Sequence, residues 1–447
     1  MARMQYILTL SLVAMISTTL QADDWPQWMG PERDGVWRET GIIEEFPDDG
    51  PNVLWRTEIG GGYAGPAVVG DRVYVTDKIM PPAVQNPANP FDRTPINAYE
   101  RVLCLSADTG EQIWKHEYPC LYTVSYPAGP RTTPVVTDGV VYTLGAEGHL
   151  LCLSAETGEV QWSKNLKEEY HLDPTPVWGF ASNPLVDGDK LICMVGGDGT
   201  GVVAFDRKSG DELWRAIVAT GDHGVGYSSP VIYEAGGTRQ LIVWHNNALT
   251  SLDPETGSVH WEIPFEVQAG LSLATPRFDD HRLFITSFYT GAMMVKLDEN
   301  RPTAETQWKR GGENERQTDA LHSIIVTPVF HGDTIYGVDS YGEFRALDAP
   351  TGDRLWETFA FTGGRSNRWG TAFIVEHEDR YVLFSENGDL IFVKLSREGP
   401  EEISRAHLLE PTGPAQRRDV VWSHPAFARK CVFARNDKEI VCVSLAE

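Results

Sequence analysis

The chain has 447 residues, of which 41% are hydrophobic and 10% aromatic, and its formal net charge is −25. This hydrophobic content excludes a wholly disordered chain. The acidic charge excludes nucleic acid as the main partner, since binding phosphate backbones needs a basic surface. We therefore expect a globular protein that binds no nucleic acid, and we expect a monomer.

Residues 1–22 are predicted to be a signal peptide. Arg3 supplies a positive start, residues 6–16 are mostly apolar, and residues 18–22 offer small side chains for cleavage. Leu20 departs from the small residue preferred there, so the cleavage position stays open, and an uncleaved membrane anchor is the alternative. Because no cysteine lies near this region, lipid attachment is not expected. We expect a periplasmic or secreted mature chain without an integral membrane segment.

Residues 23–52 form a polar, proline-rich segment that begins DWPQWMGP. We predict that this segment wraps the outside of the domain that follows. Residues 53–447 contain no stretch with the composition of a linker. They are therefore predicted to form one domain.

A short pattern recurs along this domain, with an acidic residue, a Thr-Gly or Ser-Gly pair and a closing tryptophan. Residues 152–162 read CLSAETGEVQW, and residues 346–356 read ALDAPTGDRLW. From Trp114 onward the tryptophans recur every 47 to 52 residues. Each period carries four short apolar segments, as expected for one blade of a β-propeller. The predicted docking tryptophans are Trp55, Trp114, Trp162, Trp214, Trp261, Trp308 and Trp356.

Each part of the pattern has a structural reason. Glycine permits the positive φ of a tight turn, and the tryptophan can pack from its strand against the neighbouring blade. Burying one such ring contributes about 4–6 kcal/mol before conformational entropy is subtracted. The copy at residues 296–308 is stretched by two residues, and the copy at residues 393–404 has lost its tryptophan. We interpret the tryptophans as structural.

The two ends of the domain complement each other. The last repeat, residues 424–447, lacks a closing strand, whereas Trp55 in VLWRTEI has no repeat before it. We predict that residues 53–59 supply the outer strand of the last blade. The expected fold is all-β: an eight-bladed β-propeller of four-stranded blades with tryptophan-docking motifs and N-/C-terminal ring closure.

Six cysteines are present, and none forms a C-x-x-C pattern, which excludes zinc knuckles and c-type haem. Cys104 and Cys152 occupy the same place in two repeats, as expected for small buried side chains. If Asn436 and Asp437 form a hairpin turn, Cys431 and Cys442 face each other directly. A disulfide and two packed thiols both remain open for this pair.

The spacing A-x-D-x-x-T-G-x-x-x-W resembles the docking repeat of pyrroloquinoline quinone (PQQ) dehydrogenases and of their non-catalytic relatives. Those relatives include the BamB-like propellers of outer-membrane assembly and a large group of secreted bacterial PQQ-like repeat proteins. The resemblance implies the quinoprotein-like propeller fold. It does not imply an activity, because the repeat itself carries no catalytic group. The adjacent cysteine pair of the catalytic relatives is missing here, and so is the lipidation cysteine of BamB.

Function is expected on one face of the ring, where the loops that lead into each innermost strand surround the central channel. This loop face is predicted to form a basic and aromatic rim that suits an anionic or ring-bearing ligand. Tyr63, Tyr126 and Asn183 belong to it, as does an insertion near residues 79–100. The candidate binding residues are Arg131, Trp178, His223, Tyr227, His322, Arg365, Arg368, Trp369, Trp422 and His424.

Three functions are compatible with these residues. The first is a non-catalytic module that binds a protein or a small anionic or aromatic ligand, with no cofactor. The second is an oxidoreductase that holds PQQ and calcium in the channel, where Trp178 or Trp369 would stack on the quinone. The third is polysaccharide binding, or hydrolysis by paired carboxylates. We assign no catalytic residue and no metal ligand, because His223 and His322 lack a paired carboxylate at recognisable spacing.

Overall fold

Eight four-stranded antiparallel sheets surround a central channel in the computed structural model, which describes residues 23–219 and 223–447. In seven of these blades the strands follow one another along the chain, from the channel to the outer edge. The predicted all-β, eight-bladed propeller is confirmed. The predicted signal peptide, residues 1–22, lies outside the described residues.

The innermost strands of the first four blades are only three to five residues long. The strands, from the channel outward, are Ala67–Val69, Arg72–Ile79, Ile96–Ser106 and Gln112–Tyr122 in blade 1; Val135–Thr137, Val140–Leu144, His149–Ser154 and Val160–Asn165 in blade 2; Leu185–Asp187, Lys190–Met194, Val202–Asp206 and Glu212–Ala216 in blade 3; and Val231–Ala235, Thr238–Trp244, Ala248–Leu252 and Val259–Pro264 in blade 4.

The other four blades repeat this plan. Their strands, in the same order, are Arg277–Asp279, Arg282–Ser287, Gly291–Leu297 and Ala304–Arg310 in blade 5; Val329–His331, Thr334–Val338, Phe344–Asp348 and Arg354–Thr358 in blade 6; Ala372–His377, Arg380–Ser385, Asp389–Leu395 and Pro400–His407 in blade 7; and Ala426–Ala428, Cys431–Arg435, Glu439–Ser444 and Asn52–Glu58 in blade 8. The remaining elements are a helix at Leu166–Glu169, a 3-10 helix at Gln268–Gly270 and a hairpin of Gly413–Ala415 with Arg418–Val420.

Blade 8 joins the two ends of the domain, as the sequence predicts. The strand Asn52–Glu58 pairs antiparallel with Glu439–Ser444, and Trp55 lies opposite Cys442. A β-bulge lies between Val53 and Trp55. Because the last blade takes its outer strand from the start of the domain, the ring cannot open without breaking this sheet.

Tryptophans of the outer strands pack over the turns of the next blade. Trp114 of blade 1 donates its indole N–H to the Ala155 carbonyl at 3.1 Å. Its ring lies over Gly158, where a Cβ atom would come within 2.5 Å of the indole. Gly158 also has a φ of +73°, so the turn needs glycine both for its backbone and for the room it leaves. Equivalent hydrogen bonds join Trp55 to Ala107, Trp162 to Arg207, Trp308 to Ala349 and Trp356 to Ser396.

Two docking tryptophans depart from this arrangement. Trp214 keeps its ring over Gly257, but its indole N–H has no acceptor among the described residues. Trp261 donates to Gln240 Oε1 of its own blade at 2.7 Å. The facing turn of blade 5, residues 298–303, belongs to the stretched copy and contains no glycine. The tryptophan therefore finds its partner within its own sheet.

The first half of the N-terminal segment lies across the central channel, in contrast to the expected wrapping of the outside. Trp25 forms a β-bridge with Val68 of the innermost strand of blade 1. Arg33 is 6% exposed, and its guanidinium crosses to blades 3 and 4. It donates there to three carbonyl oxygens, those of Pro184 at 2.8 Å, Asn183 at 3.2 Å and Pro230 at 3.2 Å. We call residues 23–36 the plug, because they fill one end of the channel.

The second half of the segment runs on the outside, along blades 7 and 8. Phe46 stacks on Phe392 of blade 7 with 4.4 Å between ring centroids, and its amide donates to Ser404 Oγ at 3.1 Å. Arg380 donates to the Glu44 carbonyl at 2.8 Å. This is the blade whose repeat lacks a tryptophan. The N-terminal segment therefore supplies apolar packing on the blade where the repeat does not.

The cysteines of blade 8 are diagonal neighbours and do not face each other directly as predicted. Cys431 lies opposite Ser444, and Cys442 lies opposite Phe433. The Asn436 amide donates to the Glu439 carbonyl at 3.0 Å, so the turn is centred on Asp437 and Lys438, one residue later than expected. This shifts each cross-strand partner by two positions. Both cysteines are free thiols, and the Cys431 thiol donates to the Arg429 carbonyl at 3.3 Å.

Candidate binding chamber in the central channel

A cavity of about 180 Å³ lies in the channel between the plug and the loop face. We call it the chamber. Its wall is lined by the N-terminal plug, by the loops that enter all eight blades and by the innermost strand of blade 7. The lining residues are Trp28, Tyr63, Tyr126, Arg131, Trp178, Ala181, Asn183, Tyr227, Ser229, Leu271, Leu273, Ile324, Ile325, Trp369, Phe373, Trp422 and His424.

Four aromatic side chains meet across the channel on the side of the loop face, and we call them the roof. Tyr126 lies at the centre, with its ring centroid 6.1 Å from Trp178, 5.8 Å from Trp369 and 6.0 Å from Trp422. Tyr126 and Trp369 have φ angles of 52° and 64°. Such left-handed backbone is costly for side chains of this size and persists only where the surroundings impose it. The loops therefore hold these two rings over the channel.

Phe91 of the insertion covers the roof from outside. Its ring centroid lies 5.1 Å from that of Tyr126 and 6.1 Å from that of Trp369. It does not line the chamber and is 43% exposed. The strands Arg72–Ile79 and Ile96–Ser106 frame the insertion, whose loop therefore spans residues 80–95. A bulky apolar ring is thus presented to solvent at the centre of the loop face.

Trp28 of the plug bounds the chamber at the opposite end. Its indole N–H donates to Thr275 Oγ1 at 3.2 Å, and its ring centroid lies 4.9 Å from that of His424. Phe373 packs on the other side of His424 at 5.1 Å. The chamber therefore has aromatic side chains at both ends.

The polar groups of the wall are already hydrogen bonded to one another. Asn183 Nδ2 donates to Ser229 Oγ at 2.9 Å, and Asn183 Oδ1 accepts from the Thr133 amide at 2.7 Å. These residues directly precede the innermost strands of blades 2, 3 and 4. They tie the blades together and leave few polar atoms for a ligand.

Arg131 stabilises the loop that carries the roof. Its guanidinium donates to the carbonyl oxygens of Gly129, Ser125 and Tyr126, each at 2.7 Å. It also lies 5.4 Å from the centre of the Tyr63 ring. These bonds occupy several of the five N–H donors of Arg131. Fewer donors are therefore left to bind an anion in the chamber than the sequence analysis predicted.

His424 is buried between Trp28 and Phe373, and burial lowers its pKa to about 4. Its Nδ1–H donates to the Pro425 carbonyl at 2.6 Å. The side chain is therefore neutral at physiological pH. It acts in the wall as an aromatic ring and not as a charge.

The stability of the fold is expected to decrease as the pH falls through the window set by His424. The pKa is lowered from 6.5 to about 4 in the folded state, so the unfolded chain takes up the proton first. The free energy of unfolding therefore holds its full value above the pKa of the unfolded chain, 6.5. It decreases by about 3 kcal/mol as the pH falls to 4. Urea unfolding at pH 7 and pH 4.5 measures it. The variant His424→Gln should flatten this dependence, and an unchanged slope would contradict the assignment.

The structure brings six of the ten predicted residues into the chamber wall: Arg131, Trp178, Tyr227, Trp369, Trp422 and His424. His322 lies behind the wall, where its Nδ1–H donates to the Phe288 carbonyl at 3.0 Å. Arg368 pairs with Glu315 at 2.7 Å. His223 packs against Gly270, and Arg365 is exposed on its loop.

Sequence reasoning missed the apolar part of the wall and Trp28. The apolar wall residues precede the innermost strands of blades 5 and 6: Leu271, Leu273, Ile324 and Ile325. An apolar residue shortly before an innermost strand is the sequence signal that would have identified them. Trp28 carried no such signal, because the position of the plug depends on long-range contacts.

The chamber does not fit a calcium-bound quinone. Calcium requires several oxygen ligands, usually with carboxylates among them, and none of the described residues that line the chamber is aspartate or glutamate. The plug also occupies part of the channel. The same absence gives no support to hydrolysis by paired carboxylates.

One cluster of residues with metal-ligating chemistry lies elsewhere, between blades 1 and 2. Ligand atoms of Glu100, Cys120 and His149 are all within 4.8 Å of one another. The Glu100 carboxylate already accepts hydrogen bonds from the hydroxyls of Tyr118 and Tyr122, both at 2.5 Å. Burial raises the pKa of the Cys120 thiol. We therefore interpret the cluster as a buried hydrogen-bonding network.

Comparison with known proteins places this propeller in a family. The chain matches a family model described as outer membrane protein assembly factor BamB (PQQ_2), over residues 98–358 and over residues 199–447. A curated relative, the outer membrane protein assembly factor BamB of Yersinia pestis, is 25% identical over 207 aligned positions, and the match covers 43% of this chain and 48% of the relative. That match spans about half the length of the relative.

Solved structures share the fold. BamB from Moraxella catarrhalis has a TM-score of 0.53 at 16% identity, over 87% of this chain and 98% of that chain. The quinohemoprotein alcohol dehydrogenase ADHIIG from Pseudomonas putida HK5 has a TM-score of 0.54 at 13% identity, over 95% of this chain and 80% of that chain. At these identities the likeness concerns the fold alone.

The described residues contain no helix that is long and apolar enough to cross a membrane. The two family matches overlap and together run from residue 98 to the last residue, which is most of the chain. They include the complete repeats of blades 2 to 7. This chain belongs to the PQQ_2 family of BamB-type β-propellers.

Proposed function

We propose that this protein is an exported, non-catalytic scaffold that binds a protein partner on its loop face. The observation that carries the proposal is the exposed Phe91 ring, which lies over an aromatic roof at the centre of that face. Aromatic and arginine side chains dominate the energetics of protein interfaces, mostly near their centres. Membership of the BamB-type family supports a protein partner. The predicted signal peptide supports a periplasmic or extracellular site.

Exposed arginines lie on the loops that lead into blades 6, 7 and 8, which belong to the same face. Arg316, Arg365 and Arg417 are exposed, and they form no ion pair with the described carboxylates. The chain as a whole carries a net charge of −25. Arg316 also stacks on the Tyr341 ring, 4.4 Å from its centre. Exposed arginines without a carboxylate partner on an acidic protein favour a partner segment with acidic side chains, since complementary charge steers association.

The two other functions have less support from the site. A quinone cofactor lacks its calcium ligands in the chamber wall, as described above. A sugar-binding platform needs exposed rings for stacking, but Tyr126 and Trp369 are each only 6% exposed. Phe91 alone gives too small a surface for a polysaccharide chain. A protein partner requires neither feature.

Site-specific photocrosslinking in cells of the source organism tests the proposal. A benzophenone side chain at position 91 of the full chain should form an adduct with a defined partner. Reversing the charge of two arginines, with Arg365→Glu and Arg417→Glu, should lower the adduct yield about tenfold, because like charges then face the acidic partner.

The matched control reverses two cations on the opposite face, where the docking turns lie. Lys208 and Arg301 have 78% and 74% of their side-chain surface exposed. Lys208→Glu with Arg301→Glu changes the net charge by the same amount and should leave the adduct yield unchanged. If both pairs lower the yield equally, or if neither does, the loop face is not the binding surface.

A further inference from the structure

We propose that the chamber is a second binding site, beneath the loop face, for an uncharged and mainly apolar small molecule that contains rings and a carbonyl or ether oxygen. The sequence indicated an anionic or ring-bearing ligand, and this class keeps the rings but carries no charge. It also differs from the protein partner proposed above, because the chamber lies below the roof and not on the outer surface. The two proposals are independent.

The walls of the chamber match an apolar ligand. Between the aromatic ends lie Leu271, Leu273, Ile324, Ile325 and Phe373. An apolar cavity of about 150 Å³ can bind benzene, and the chamber encloses about 180 Å³. A large apolar cavity that stays empty destabilises a fold, because the wall atoms lose their packing partners. A bound apolar molecule would restore that packing.

Two hydrogen-bond donors of the roof supply the polar part of the ligand class. Within the described parts of the chain, neither the Trp369 indole N–H nor the Tyr126 hydroxyl has a partner. Both side chains line the chamber, but neighbouring atoms cover both donor atoms in this structure, so each ring must shift before a ligand can reach its donor. Leaving a buried donor unpaired costs about 1–3 kcal/mol. An acceptor oxygen on the ligand, such as a carbonyl or an ether, would remove this cost.

The charge of the chamber excludes an ionic ligand. None of the described lining residues carries a carboxylate, and His424 is neutral because burial lowers its pKa. Arg131 directs its guanidinium at three carbonyl oxygens of its own loop. An anion or a cation would therefore enter without a free partner of opposite charge, and burying an unpaired charge is strongly unfavourable.

The neutral naphthyl ketone Prodan is a suitable probe, since it combines an apolar ring system with one carbonyl acceptor. With the full mature chain we expect a saturable change in Prodan emission with one site per chain. Tryptophan fluorescence should be quenched in parallel, because Trp28, Trp178, Trp369 and Trp422 line the chamber. The anionic probe anilinonaphthalene sulfonate should bind at least tenfold more weakly.

Conservative variants separate this site from non-specific binding. Trp369→Phe and Tyr126→Phe keep an aromatic ring but remove the donor, and each should weaken Prodan binding roughly fivefold to tenfold. The matched control is Trp244→Phe. Trp244 is 1% exposed, and its indole N–H also lacks an acceptor among the described residues, but it does not line the chamber. This variant should bind Prodan like the wild type.

A chamber-filling variant gives a second measurement. Ala181→Phe places a ring in the wall and should abolish the Prodan signal in a protein that still shows the wild-type circular dichroism. The proposal is overturned if Prodan does not bind the wild type, if the sulfonate binds equally well, or if Trp369→Phe and Trp244→Phe behave alike. Because Arg365→Glu with Arg417→Glu should not affect Prodan, failure of this site and failure of the loop-face interface are distinguishable.

Discussion

Replacing Trp114 by alanine is expected to lower the free energy of unfolding by about 3–5 kcal/mol, the range for truncating a large buried aromatic side chain. The indole of Trp114 is 8% exposed and packs over Gly158 of the next blade. Its loss would also leave the Ala155 carbonyl without its indole donor. Urea unfolding followed by circular dichroism measures the change, and hydrogen exchange should show it concentrated between blades 1 and 2.

The converse change tests the same contact from the other side. Gly158→Ala introduces a Cβ within 2.5 Å of the indole, at a φ of +73°. The conformational cost alone is about 1–2 kcal/mol, and the clash adds to it. Gly139 of the same blade has a φ of +76° with nothing within 4 Å of a new Cβ, so Gly139→Ala measures the conformational cost by itself.

A double-mutant cycle then isolates the docking contact. In the Trp114→Ala background the clash disappears, so Gly158→Ala should cost about as much as Gly139→Ala. Equal costs for the two glycine variants in the wild-type background would show that the indole does not depend on the glycine. The pairing of tryptophan and glycine in the repeat would then need another explanation.

Replacing Arg33 by methionine is expected to destabilise the fold by about 3 kcal/mol and to release the plug from the channel. Methionine keeps the length of the side chain but cannot donate to the carbonyl oxygens of Pro184, Asn183 and Pro230, which would stay buried and unpaired. Limited proteolysis should then cleave within residues 23–36, whereas the same segment of the wild-type chain should resist the protease.

Arg38→Met is the matched control for Arg33. Arg38 forms an ion pair with Asp34, but 45% of its side chain is exposed. Exposed ion pairs contribute only about 0–1 kcal/mol. This variant should therefore unfold close to the wild-type midpoint and resist the protease. If Arg33→Met behaves in the same way, the plug is not held by its guanidinium.

The blade architecture could be predicted because it depends on local, repeated chemistry. Each copy of the motif encodes a turn and the tryptophan that docks on the next turn, so the spacing of Trp114, Trp162 and Trp214 was enough to count blades. The strand that contains Trp55 was identifiable by its isolation from any repeat. The stretched copy near residue 298 was visible too, but its consequence was not, because the sequence does not state which acceptor Trp261 finds instead.

The candidate site was predictable only in part. Topology placed Trp178, Trp369 and Trp422 around one channel mouth, and the structure brings them together. Arg131 and Arg368 were expected to make the rim of the channel basic. In the structure Arg131 donates to backbone carbonyl oxygens and Arg368 pairs with Glu315, so neither guanidinium is available to a ligand. Hydrogen-bond partners of this kind come from loops that a sequence pattern does not position.

By itself the sequence determined that this chain forms a closed ring of eight blades, since seven copies of the docking motif and the complementary chain ends account for eight blades. Only the tertiary structure decided what fills the ring. Arg33 and Trp28 lie in the channel because they form hydrogen bonds there with Pro184 and Thr275. Those partners are more than a hundred residues away along the chain. The repeat pattern of the sequence does not encode long-range contacts of this kind. These contacts hold the plug that closes one end of the channel and so forms the chamber.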